Sequence, residues 1–145
     1  MKFFTSLLVS AMLTTATLAQ SIDIGAPASG ATVPAGSNIT VEVDKPDTLT
    51  GSTEVAIVIG LLSCVGLPDG CPSPADDIGD VLYNGPYNPQ FQEATPGKPP
   101  YQNFSVAIPG SVPSGPAQLS VVHLSLVGLG PMPFFQIVNI TVNVD

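Results

Sequence analysis

The stretch Asn38-Ile39-Thr40-Val41-Glu42-Val43-Asp44 alternates polar and apolar residues with a period of two. Period two places one set of side chains in a core and the other in water, as in a half-buried β-strand; a helix would repeat near 3.6. The same alternation returns at Phe104, Val106 and Ile108, and again at Ile140, Val142 and Val144. Glu54 to Leu62 and Ala117 to Leu126 are more continuously apolar, and read as central strands covered on both faces. A short strand is expected over Asp80 to Tyr83, closed by Asn84-Gly85-Pro86. Turn signals separate these runs: Pro34-Ala35-Gly36, Lys45-Pro46-Asp47, Pro109-Gly110 and Pro113-Ser114-Gly115-Pro116. About seven short strands spaced in this way predict an all-β fold, a small immunoglobulin-like antiparallel β-sandwich. One long Pro-rich loop segment, Leu67 to Pro100, interrupts the pattern. Loops of that length are usually functional, so a binding surface is expected there.

Composition narrows the partners. The 145 residues carry eleven Asp and Glu against three Lys and no Arg, for a net charge of -8. Phosphate, nucleic-acid and anionic-membrane ligands need a cationic surface, so these partners are not expected. Sugar clefts commonly stack rings on Trp, and the chain has none. Pro (16) and Gly (14) are abundant, yet 44% of residues are hydrophobic, which favours strands cut by turns over disorder.

Residues 1–19 have the layout of a secretory signal peptide. Lys2 gives a positive start, Phe3 to Leu18 an apolar stretch, and Thr17-Leu18-Ala19 small residues at the cleavage positions. The mature chain, 20–145, is then a single domain with two lysines against eleven acids. It is expected to be extracellular, monomeric and without a membrane association. Cys64 and Cys71 flank a Pro68-Asp69-Gly70 turn, and in an oxidising compartment such a pair forms one local disulfide.

Three sequons place Asn38, Asn103 and Asn139 on the polar faces of their strands, as sites for N-glycosylation. Asp69, Asp76, Asp77 and Asp80 crowd the segment beside the cysteines and are calcium candidates. Their spacing matches no EF-hand, and the competing reading is a solvated acidic loop with Asp77 capping a turn. His123 is the sole histidine, set inside an apolar run. There is no Gly-x-Ser-x-Gly elbow to accompany it, so a mid-strand histidine with a hydrogen-bond partner is expected. Tyr83, Tyr87, Phe91 and Tyr101 gather near the Pro-rich segment and are candidate partner contacts, or else anchors that pack the segment on the sandwich. No catalytic residue and no cofactor is expected; on these grounds the chain is not an enzyme.

Gly115-Pro-Ala-Gln-Leu-Ser-Val-Val-His-Leu-Ser-Leu-Val-Gly128 and the closing Asn139-Ile-Thr-Val-Asn-Val144 resemble the necrosis-inducing secreted protein family of fungal effectors. Tyr101-Gln-Asn-Phe-Ser-Val106 and Gly30-Ala-Thr-Val-Pro-Ala-Gly36 add to the likeness. The resemblance implies a secreted protein that induces plant cell death and suppresses pattern-triggered immunity by binding receptor-associated host kinases. It carries no catalytic residue over. A second resemblance, at Ile24 to Val41, is to fungal wall proteins with immunoglobulin-like domains. It implies a structural or adhesive wall-associated glycoprotein.

Overall fold

The structure is a computed structural model that describes residues 21–48 and 50–145. The signal peptide expected over 1–19 lies outside the described residues. Eight strands follow one another: β1 (Asp23–Ala26), β2 (Thr32–Val33), β3 (Asn38–Asp44), β4 (Ser52–Ser63), β5 (Asp80–Gly85), β6 (Tyr101–Ala107), β7 (Gly115–Val127) and β8 (Met132–Val144). They form a three-stranded sheet, β1-β3-β6, facing a five-stranded sheet, β2-β8-β7-β4-β5. The opening segment changes sheets: β1 pairs antiparallel with β3, and β2 runs parallel to β8. A cis Ala26–Pro27 bond lies between them. The result is the expected all-β sandwich.

Alternation fixes the faces. Val41 and Val43 of β3 and Phe104 and Val106 of β6 point inward. They meet Ile57, Ile59 and Leu61 of β4, Leu119 and Val121 of β7, and Val142 and Val144 of β8. Each fully buried aliphatic side chain contributes about 1.5–3 kcal/mol of transfer free energy, so this interface is the main source of stability.

The two long apolar runs depart from expectation on one point. β4 and β7 are central in their sheet, but only part of their outer face is covered. The segment after β4 folds back over that face: Ile78 sits against Gly60, where a Cβ would come within 2.5 Å of the Ile78 carbonyl oxygen. Gly79 lies against the Leu61–Leu62 backbone with φ of 70°, a place where close approach and backbone geometry both require glycine. Beneath this cover Gln118 and Ser120 are buried although they face outward. Toward the β7–β8 turn the cover ends, and Val122, Leu124 and Leu126 are partly open beside exposed Phe135.

Candidate functional site

At one end of the sandwich the chain leaves β3 through Lys45-Pro46-Asp47 and re-enters at Ser52. The stretch from Tyr87 to Pro100 crosses beside it, tied by hydrogen bonds from Lys45 N–H to Pro100 O (2.8 Å) and between the Gln90 and Tyr101 backbones (3.1 Å). These walls enclose a pocket of about 460 Å³, with Lys45, Asp47, Ser52, Glu54, Tyr87 and Asn88 in its lining. Across the Pro46–Asp47 ridge a second hollow of about 480 Å³ is bounded by Phe91, Gln92, Thr95 and Lys98.

The floor of the first pocket is built by a β-bulge. The ladder between β4 and β7 shifts register between Glu54 and Ala56, so Val55 is extra and Glu54 faces inward opposite Ser125. There its carboxylate pairs with His123 Nε2, accepts from Ser52 Oγ (2.6 Å) and lies 3.7 Å from Lys45 Nζ. Burial alone would raise the Glu54 pKa. The hydrogen bonds from His123 and Ser52, helped by the charge of Lys45, outweigh it and hold the carboxyl below its ordinary value. His123 is fully buried, and Tyr87 packs edge-on against its ring at 5.4 Å. The Tyr87 hydroxyl donates to Val43 O (3.1 Å), and burial keeps this phenol protonated, well above its usual range. A ligand in this pocket therefore meets Glu54, Asp47 and Lys45, not the imidazole.

The four aromatic candidates divide. Tyr87 is buried, Tyr83 packs on Phe104 with ring centroids 4.6 Å apart, and its hydroxyl donates to Pro86 O. Tyr101 is half-buried beneath Lys98 Nζ, 4.8 Å from the ring centroid. These three anchor the Pro-rich segment to the sandwich. Phe91, 67% exposed, is the one of the four that projects into solvent. Cys64 and Cys71 are joined in a disulfide. Asp77 caps its turn, accepting from Gly79 N–H at 2.8 Å. Asp69, Asp76, Asp77 and Asp80 are not gathered into a ligand set: among the described residues no group of three or more His, Cys, Asp or Glu could hold a metal ion. Asn38, Asn103 and Asn139 are all exposed. Sequence reasoning gave His123 a partner but did not find Glu54 or Lys45. The available signal was that Glu54 is the one acid in an apolar run, and His123 the one ionisable group in another.

A family model, the Nis1 family, matches residues 17–143. The chain belongs to this family, which is a fungal necrosis-inducing, effector-type family. No curated protein matches the sequence. Among solved structures, the chain is similar to a superoxide reductase (neelaredoxin) from Ignicoccus hospitalis, at 16% identity and a TM-score of 0.48. The match covers 87% of this chain and 81% of that one. The expectation that the chain is not an enzyme is withdrawn, since the matched structure bears an enzyme's name. At this identity and TM-score the likeness carries no activity over.

Proposed function

We propose that this Nis1-family chain is a secreted effector that enters the extracellular space after cleavage behind Ala19 and acts as a monomer on a host protein. The partner class that the resemblance suggests is the receptor-associated kinases of plant immunity. Family membership over residues 17–143 is the observation that carries this reading. The Cys64–Cys71 disulfide is consistent with an oxidising compartment. The contact surface in this reading is the end of the sandwich bearing the two hollows. Phe91 supplies an exposed aromatic anchor, and the Lys45, Asp47 and Glu54 pocket beside it supplies polar contacts.

The mature protein is to be used as bait in a plant extract. Recovery of host kinases is expected, with a loss of affinity of roughly tenfold in Phe91→Ala, the scale of a single aromatic anchor. Capture of insoluble glucan or chitin alone would overturn the reading in favour of a wall-associated role. Kinase capture unaffected by Phe91→Ala would move the contact away from this end.

A further inference from the structure

The two sheets differ in what they show to solvent. On the three-stranded sheet the outward residues are polar: Asn38, Thr40 and Glu42 of β3 lie beside Asn103 and Ser105 of β6. On the five-stranded sheet the outward residues of β7 and β8 near their connecting turn are Val122, Leu124, Leu126, Phe135 and Ile137. Phe135 is 62% exposed. Neither strand contains an Asp, Glu, Lys or Arg. Beside this face, among the described strands, none forms a ladder with Met132 to Ile140 along the outer edge of β8: β2 reaches only Asn143 and Val144, and Ile22 meets the edge only through the Gln136 side chain. An uncharged apolar face next to an open strand edge invites association unless something covers it.

One residue on that face offers a cover. Asn139 stands opposite Ser120 and is exposed, with Thr141 exposed beside it on the same side of the strand. Strand geometry places Ile137 about 7 Å and Phe135 about 13 Å along the same face, within reach of a short oligosaccharide. Sugar rings have apolar C–H faces that pack on aromatic and aliphatic side chains. Asn38 and Asn103, the other two sequon residues, stand over polar surface and have nothing comparable to cover.

We infer that Asn139 carries an N-linked glycan whose first sugars lie over the uncovered apolar half of the five-stranded sheet. This rests on the proposed secretion, because the sugar donor is a lipid-diphosphate oligosaccharide of the secretory pathway. A C–N bond forms between Asn139 Nδ2 and the anomeric carbon of the first N-acetylglucosamine. The bond from that carbon to the diphosphate breaks, and the amide proton leaves with the lipid diphosphate. The glycan keeps the protein monomeric by shielding both the face and the edge.

The test expresses the full chain in a fungal host and maps the sequons by glycopeptide mass spectrometry. The Asn139 peptide is expected to be occupied. Asn139→Gln and Thr141→Val, which remove the same sequon by different residues, should both raise binding of an apolar-surface dye roughly threefold and increase light scattering. Asn38→Gln and Asn103→Gln should do neither, and adding Phe135→Ser to Asn139→Gln should reverse the gain. Secreted protein with a bare Asn139, or equal dye binding for all three sequon variants, would overturn this inference alone. Absence from the medium with all three sequons bare would overturn the secretion reading together with it.

Discussion

Glu54 holds a charge in a place where burial opposes it, and the sign of its pKa shift states who wins. Its carboxyl lies below the ordinary value of 4.5 in the folded protein. The Glu54 contribution to stability is therefore fully present above about pH 4.5 and is lost as pH falls through the lower folded value. Glu54→Gln should cost about 2 kcal/mol at pH 7, the scale of weakening hydrogen bonds to a charged group, here those from His123 and Ser52. That cost should shrink below pH 4.5. Chemical denaturation of both proteins at several pH values checks it; a cost independent of pH would show that packing, not charge, is what Glu54 provides. Asp44 has the opposite sign. Burial and the neighbouring Glu42 raise its carboxyl above 3.8, so its charge opposes folding at neutral pH. Asp44→Asn should then stabilise at pH 7 by roughly half a kcal/mol, the scale of a solvent-screened surface charge. The gain should disappear as acid protonates the wild-type group, and a stability curve parallel to that of wild type would refute it.

At the scale of elements, strands with clean alternation were legible: β3, β6 and the end of β8 follow from period two alone. The first half of β8, Met132-Pro-Phe-Phe-Gln-Ile-Val138, has no such alternation and carries a proline at its second position. It becomes strand because β7 offers a ladder along its whole length, from Gly115 opposite Val144 to Val127 opposite Met132. The Glu54–His123 pair was hidden for a different reason. The partners are 69 residues apart, and the bulge at Val55 turns Glu54 to the inner face, which no count along the sequence reveals. The first part of the Pro-rich segment packs as a lid on the outer sheet face, through Ile78 and Gly79. The disulfide stands at the start of that lid. Replacing Cys64 and Cys71 with serine should cost about 2–3 kcal/mol by loop-closure entropy. It should also speed amide exchange at Gln118 and Ser120, which the lid buries. Unchanged exchange there would separate the disulfide from the covering role.

At the scale of the whole molecule, the acids are carried by elements other than β7 and β8. Asp23, Glu42 and Asp44 belong to the three-stranded sheet and Asp69, Asp76, Asp77 and Glu93 to the connecting segment, whereas β7 and β8 carry no acid. A net charge of -8, or -9 once Lys2 is removed with residues 1–19 (two lysines against eleven acids), keeps copies apart at neutral pH even though one sheet face is apolar. That protection depends on ionised carboxylates. The calculated isoelectric point is about 4.1, so repulsion vanishes in mild acid while the apolar face is unchanged. Protein produced without glycans should therefore associate reversibly as pH falls from 7 toward 4, seen as a rise in light scattering. It should disperse again below the isoelectric point if it remains folded. Phe135→Ser removes the most exposed aromatic of the face without altering charge, and should flatten that rise. If the variant associates as strongly as the parent, acid-driven association uses another surface, and the β7–β8 face is not the one that the net charge restrains.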